Sequence, residues 1–403
     1  MDIEQEFRDP RLLSARLAFH GKVIAEEEAA EAICDRVLRG PSRWWRNALF
    51  QEEGFRTAGM VAILFQRMDE PLQKSLPDAL VLSELAIEVA NAIETDEYPY
   101  DHVQKIRGQA LREHAYVLTC IGRHREAGRI ADLAGVFLKQ IPIPDPELAR
   151  LDLVRSNIAR VGEDYDAAIA FARRAGETFL RFGSRSSWLK ALDYEGAAYF
   201  MAGNPGRGLE VWGSMKAYER LLTREHRAAW FHNMGLCAGA TGKFDEAARC
   251  YARAAAEFDR LGLTVNRVKS DYAIGLAMIA SARHEDAAAV LEKTAGQFSA
   301  LGLESDAALA ALARAEALLA IGRAGEVPAI SRDLIERFTR AGIKGAAMTA
   351  LAYLRESLAI GHATPESVRH IHDFLRDTNM GSTRAFVPHS GSSVMVVAER
   401  LDV

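Results

Sequence analysis

Apolar residues recur at helical spacing along most of this chain. In one stretch they follow one another at intervals of three or four residues: Ala308, Leu312, Ala315 and Leu319. The next stretch shows the same spacing: Ile330, Leu334 and Phe338. Because an α-helix has about 3.6 residues per turn, each set lies on one face of a helix. Alternating β-branched runs do not appear before the C-terminal segment, so the pattern predicts an all-α fold.

The helical stretches form an internal repeat of about 40 residues. A turn residue, which is glycine in most copies, recurs at steps of 41, 40, 39, 40 and 40 residues: Gly122, Glu163, Gly203, Gly242, Ala282 and Gly322. Glycine at such a point ends a helix by adopting the left-handed conformation. An acidic residue and an alanine follow the turn in most copies, as at Glu246 and Ala247. Each unit is therefore predicted to be two antiparallel helices joined at the turn.

The clearest copy carries a further set of residues in a fixed order: Gly235, Gly242, Phe244, Ala247, Tyr251 and Ala254. This pattern resembles the tetratricopeptide repeat (TPR) family, and the resemblance covers roughly residues 78–376. The period is near 40 rather than the family's usual 34 residues, and the proline that often closes a unit is absent from most copies. The resemblance implies a right-handed superhelical solenoid of helix hairpins, with a concave groove that binds a protein or peptide.

The repeat register divides the chain into three predicted parts. Residues 1–76 do not follow the register and contain Trp44 and Trp45, so they are predicted to form a helical N-terminal cap. Residues 77–378 are predicted to be the TPR-like solenoid, closed by a last helix pair at 344–360 and 365–375. Residues 379–403 are predicted to be a flexible tail, and one hypothesis is that this tail folds back onto the groove.

The resemblance also implies which residues line the groove, because recurring positions of the first helix in each unit do so in the family. Transferring those positions selects eleven residues: Arg112, Tyr116, Arg150, Asn157, Arg160, Lys190, Asp193, Phe200, His232, Lys269 and Tyr272. The early copies carry several cations and an asparagine, which would suit an acidic peptide or a terminal carboxylate. The alternative is that these cations lie on an ordinary solvent-exposed helix face and bind no ligand. The family's carboxylate-clamp pattern is not reproduced intact.

Composition and charge narrow the class of partner. The 403 residues carry a formal net charge of −5, so global charge predicts no nucleic acid partner. No run of 18 apolar residues and no basic-then-apolar leader occur, so we expect a cytoplasmic protein without a membrane partner. The four cysteines are widely scattered and predict free thiols rather than a zinc site.

Three motifs that could carry chemistry have simpler explanations. Gly239–Lys243 lacks the first glycine and the Ser/Thr of a phosphate-binding loop. His370 and His372 lie two residues apart, so a helix would point them in different directions. Carboxylates are spread over helix surfaces, and no general acid/base pair stands out. We therefore predict a protein that is not an enzyme and needs neither a cofactor nor a metal.

These observations favour a non-enzymatic scaffold or adaptor that binds a protein or peptide in its groove. The alternative is a sensor or regulatory subunit, which would bind a signalling peptide or small molecule and control a partner enzyme or transcription regulator. Solenoid ends expose a helix face, so self-association through them stays open.

Overall fold

The computed structural model describes residues 10–94, 96–340, 346–377 and 386–387. Helices account for most of this backbone, and no β-strand occurs among the described residues. The chain divides into two compact units, 1–204 and 205–403, which we describe in turn. None of the described helices is both long and apolar enough to cross a membrane.

The first unit begins with helices outside the repeat register: α1 (Pro10–Val37), a 3₁₀ turn (Ser42–Trp44), α2 (Trp45–Leu49), α3 (Ala58–Arg67), α4 (Asp69–Lys74) and α5 (Leu76–Ala92). Helix α1 packs against α3, and α3 packs against α5. The backbones of α1 and α3 approach so closely that a Cβ at Gly59 would lie 2.4 Å from the carbonyl carbon of Glu26. Only glycine permits this approach, which buries Met60 and Leu64 in the core of the first unit.

The first compact unit then continues with helices that follow the 40-residue repeat: α6 (Tyr100–Cys120), α7 (His124–Leu138), α8 (Asp145–Val161), α9 (Tyr165–Arg181) and α10 (Arg185–Met201). Consecutive helices pack as hairpins, α6 with α7 and α8 with α9. The first helices of successive units also touch, α6 with α8 and α8 with α10. The first helices therefore form one layer, and the residues that they present outwards can act together.

The second unit continues the repeat: α11 (Pro205–Ser214), a 3₁₀ helix (Met215–Leu221), α12 (Arg224–Ala240), α13 (Phe244–Arg260), α14 (Thr264–Ala280), α15 (His284–Ala300), α16 (Glu304–Ala320), a 3₁₀ turn (Ala324–Glu326), α17 (Val327–Arg340), α18 (Ala346–Ala359) and α19 (Pro365–Asp377). Two buried tryptophans join α11 to α12, because the indole N–H of Trp230 donates to the backbone oxygen of Trp212 at 2.9 Å. The predicted all-α fold of repeated helix hairpins is confirmed.

The turn register is confirmed at every copy. All six predicted turn residues have positive φ, including the two that are not glycine, Glu163 (64°) and Ala282 (60°). At Gly242 the Lys243 N–H donates to the Ala238 oxygen at 2.8 Å, and the Gly242 N–H donates to the Gly239 oxygen at 3.0 Å. This is the Schellman pattern, which satisfies the last carbonyl groups of the first helix.

The C-terminal end departs from the hairpin pattern. Helices α18 and α19 correspond to the predicted last pair, but α19 packs mainly against α16 and touches α18 only lightly. Beyond α19, the Phe386 ring is buried against the rings of Tyr353 and Phe374. The other residues of the predicted tail, like 1–9 of the predicted cap, lie outside the described residues. The last helix is therefore placed on the first helix of an earlier repeat unit.

Candidate functional site

The predicted groove residues occupy four recurring positions, at thirteen, ten, six and three residues before the turn residue of their unit. These intervals of three and four residues place them on one face of each first helix, which we call the first-helix face. Arg150 and Lys190 hold position −13, whereas Arg112 and Tyr272 hold position −10. Tyr116 and Asn157 hold position −6. The eleven residues thus share one helix face in each unit, and their role in binding stays a prediction.

A buried carboxylate organises the first-helix face where α6 meets α8. Glu147 accepts from Arg112 Nη1 at 2.7 Å and from Arg150 Nη1 at 2.8 Å, and Lys105 Nζ lies 3.9 Å away. Arg112 also donates to Glu113 at 2.6 Å and is itself buried. The guanidinium of Arg112 is therefore paired with carboxylates of the protein itself and links two repeat units. Arg150 stays exposed beside it.

The charges of this cluster keep its carboxylate ionised. Burial by itself raises the pKa of Glu147, but the neighbouring guanidinium groups of Arg112 and Arg150 outweigh burial and lower that pKa below its usual value. The arginine-rich stretch that the sequence predicts is thus partly neutralised by a glutamate outside the predicted set. Glu147 lies three residues before Arg150 on α8, so helical spacing places the two side chains next to each other. This spacing is the sequence signal that could have revealed Glu147.

A second group on the same face is polar. Arg160 Nη2 donates to the side-chain oxygen of Asn157 at 2.6 Å. Burial, together with the Cys120 thiol, raises the pKa of Tyr116, and burial raises the pKa of Tyr194 above its usual range. Both phenols therefore stay protonated at neutral pH and can donate hydrogen bonds. Asn157 is buried here, whereas Tyr116, Arg160 and Tyr194 are half-buried.

The remaining predicted residues differ in exposure. On α10, Lys190 is exposed, whereas Asp193 and Phe200 are half-buried. In the second unit, Lys269 is exposed. His232 is half-buried with its ring centroid 5.3 Å from that of Tyr251, and burial lowers its pKa.

Tyr272 is a special case, because its hydroxyl hydrogen-bonds to Nε2 of His372 on α19. The C-terminal helix therefore covers part of the first-helix face in the second unit. Glu316 at position −6 of α16 lies under the same helix. Glu316 has the same register position as Tyr116 and Asn157, so the repeat could have identified it.

The residues considered for metal or nucleotide binding have structural partners. His370 Nε2 lies 2.8 Å from the Val387 backbone oxygen, and His372 contacts Tyr272 and Asp373. In the described part of the chain, no group of three or more His, Cys, Asp and Glu side chains could hold a metal ion. Gly242 serves as the left-handed turn residue between α12 and α13.

Comparison with known proteins gives a likeness in structure only. No protein-family model matches the chain, and no curated protein matches it. A signal-transduction ATPase with a tetratricopeptide repeat sensor from Pyrococcus horikoshii aligns with a TM-score of 0.58 and 12% identity, over 82% of this chain and 54% of that one. The apo form of RapI aligns with a TM-score of 0.53 and 11% identity, over 89% and 98% of the two chains.

The apo form of the quorum sensor NprR from B. thuringiensis also aligns, with a TM-score of 0.51 and 13% identity, over 86% of this chain and 99% of that one. Together with the confirmed hairpin repeat, these likenesses define the class of fold. The chain is an α-solenoid with TPR-like repeats.

Proposed function

We propose that this protein is a non-enzymatic scaffold that binds a peptide or protein segment on the first-helix face of its first unit. The observation that carries the proposal is the group of Asn157, Arg160 and Tyr116 on stacked first helices. Stacked hairpins offer a long surface on which an extended segment can lie, and short polar side chains on that surface can bind its backbone.

The contacts within the group favour a particular ligand chemistry. The side-chain oxygen of Asn157 already accepts from Arg160, so its amide N–H groups are the ones that suit a peptide carbonyl. Arg160 uses one of its five N–H donors in that bond, and a guanidinium can bind a carboxylate with two parallel hydrogen bonds. Exposed Arg150 adds a second positive charge on the same helix. An acidic segment or a C-terminal carboxylate is therefore the preferred ligand.

The second candidate function is a sensor or regulatory subunit. Two of the similar structures are the quorum sensor NprR and a signal-transduction ATPase with a tetratricopeptide repeat sensor. Such a role would use the same face but would require the bound segment or small molecule to change the activity of a partner protein.

We propose a cytoplasmic location, because the four cysteines are free and free thiols suit a reducing compartment.

Selection from a displayed library of random peptides with free C-termini tests the proposal. We expect the wild-type protein to enrich acidic peptides. The double variant Arg150→Glu/Arg160→Glu should bind an enriched peptide about tenfold more weakly or worse in calorimetric titration, since attraction becomes repulsion. Because Arg150 also donates to the buried carboxylate of Glu147, the double variant should lower the melting temperature as well. Arg160→Glu alone, at a residue whose bond is to the Asn157 side chain, should weaken peptide binding with little change in the melting temperature.

Arg125→Glu is the matched control, since Arg125 is exposed on the second-helix side at α7. This variant should bind the enriched peptide as the wild type does. Equal affinity of the double variant and the wild type would contradict the site. A sensor role would instead be favoured if small metabolites, and no peptide, raised the melting temperature.

A further inference from the structure

Helix α19 lies on the first-helix face of the second unit. It packs on α16, whose positions −10 and −6 are held by Leu312 and Glu316. It also reaches α14, where His372 contacts Tyr272 at position −10. These are the register positions at which Arg112, Tyr116 and Asn157 stand in the first unit. In the second unit, part of the first-helix face is therefore occupied by a helix of the chain itself.

The contacts of α19 have the spacing of a helix bound in a groove. Apart from Ser367 in its first turn, its buried residues follow the pattern i, i+3, i+4 and i+7: Val368, Ile371, His372 and Leu375. The three aliphatic members lie in one buried cluster with Leu312. This is the anchor pattern by which amphipathic helices dock into apolar grooves of other proteins.

One ion pair gives the contact its chemical specificity. Arg369 donates to Oε1 of Glu316 from Nε at 2.8 Å and from Nη2 at 2.5 Å. The Glu316 side chain is only 5% exposed, whereas that of Arg369 is 54% exposed. A buried carboxylate needs a cationic partner, so the face selects a helix that presents an arginine next to its apolar anchors.

The helix leaves part of this face uncovered. An open cleft of about 580 Å³ lies beside it. One wall is apolar and includes Leu276 and Ile279 of α14, while the other is formed by Arg369, Asp373 and Arg376 of α19. A competing segment can therefore contact α14 before α19 leaves. Helix α19 itself is tied to α18 by a short connection through Gly361, and it packs only lightly on α18.

We propose that the first-helix face of α14 and α16 is a receptor for an amphipathic helix that carries an arginine, and that α19 is its intramolecular occupant. An incoming helix with apolar residues at i, i+3 and i+7 and arginine at i+1 competes with α19 for Glu316. The apparent affinity for that helix equals its intrinsic affinity multiplied by the fraction of molecules in which α19 has left the face. This site lies in the second unit and does not depend on the peptide site proposed for the first.

The test uses the full chain and a fluorescein-labelled synthetic peptide with the sequence of residues 362–377. Arg369→Glu places two carboxylates against each other and weakens the occupancy of the face by α19, while Glu316 remains to receive the peptide. Arg355→Glu, an exposed site on α18, is the matched control for charge. We expect fluorescence anisotropy to report binding to the Arg369→Glu protein about tenfold tighter, or more, than to the wild type or the control.

A charge swap separates specific competition from loss of structure. Glu316→Arg should lose the native peptide and bind a peptide that carries Arg369→Glu. Excess native peptide should also speed hydrogen exchange of residues 365–377 in the wild-type protein. Equal binding of the native peptide to the wild type and Arg369→Glu, or failure of the Glu316→Arg protein to discriminate between the two peptides, would overturn the proposal.

Discussion

Single small residues decide how closely the helices of a hairpin approach. A Cβ at Gly235 would lie 2.6 Å from Cε1 of Tyr251, and one at Gly275 would lie 2.6 Å from Cδ2 of Leu291. In the sequence, Gly235 and Gly275 both lie seven residues before the turn residue of their repeat unit, and the structure identifies the large side chain that fills the space beside each. A glycine on the first helix and a large side chain on the second helix therefore pack together as a complementary pair.

Gly235→Ala should destabilise the protein by about 1–3 kcal/mol, because the Tyr251 ring is buried and must shift to admit the methyl group. The matched control is Gly296→Ala on α15, where an added Cβ meets nothing within 4 Å. That variant should be stabilised by up to about 1 kcal/mol through helix propensity. Urea unfolding followed by circular dichroism measures both, and equal effects of the two substitutions would refute the packing argument.

The Glu147 cluster predicts a pH-dependent contribution to stability. The pKa of Glu147 in the folded protein lies below the ordinary glutamate value of 4.5, so its stabilising effect is complete above that pH and is lost as the pH falls through the lower folded value. Glu147→Gln should cost about 1–3 kcal/mol at pH 7, since hydrogen bonds to charged groups are lost.

The cost of Glu147→Gln should shrink as the pH is lowered below about 4.5, because the wild-type carboxylate then becomes protonated. Melting temperatures between pH 7 and pH 3.5 test this expectation. Glu177→Gln on α9, an exposed carboxylate, serves as control and should leave the pH profile unchanged. A difference between Glu147→Gln and wild type that stays constant over this range would refute the prediction.

At the scale of the element, the turn between the two helices is the most regular feature of each unit. Four turn positions carry glycine, but Glu163 and Ala282 adopt positive φ as well. A side chain with a Cβ is strained in this conformation, so the two residues are held there by the helices on either side. The repeat register was strong enough to predict the turn where the residue type argued against it.

Ala282→Gly should therefore stabilise the protein by about 0.5–1 kcal/mol, because glycine adopts positive φ without the Cβ clash. The converse substitution at the equivalent turn, Gly242→Ala, should destabilise it by about 1–2 kcal/mol. Urea midpoints of the two variants measure this pair of effects. If both substitutions moved the midpoint in the same direction, strain at the turn would not be the cause.

For the last helix, α19, the sequence predicts that the helix exists but not which helix it packs against. The boundaries of α19 follow from its amphipathic pattern and from Pro365 at its start, so its existence was predictable. Its packing partner was not, because the apolar positions Val368, Ile371 and Leu375 fit any first-helix face of suitable width. The ion pair between Arg369 and Glu316 joins residues 53 positions apart, and no local spacing reveals such a pair.

For the molecule as a whole, the sequence by itself determined the all-α class, the 40-residue unit and the positions of the six turns within the repeat units. These features depend on local physics, namely the 3.6-residue period and the backbone freedom of glycine, so they can be read without knowing which helices meet. The TPR-like fold followed from that repeat and is matched by solved structures of low sequence identity.

The tertiary structure alone decided which of the predicted face residues are available. It buried Arg112 against Glu147, left Arg150 exposed, and placed α19 over Tyr272 and Glu316. Burial and ion pairing depend on residues brought together from distant repeats, whereas the sequence register only states which residues share a helix face. The sequence therefore predicted the face, and the folded chain determined which part of it the protein occupies with its own helix.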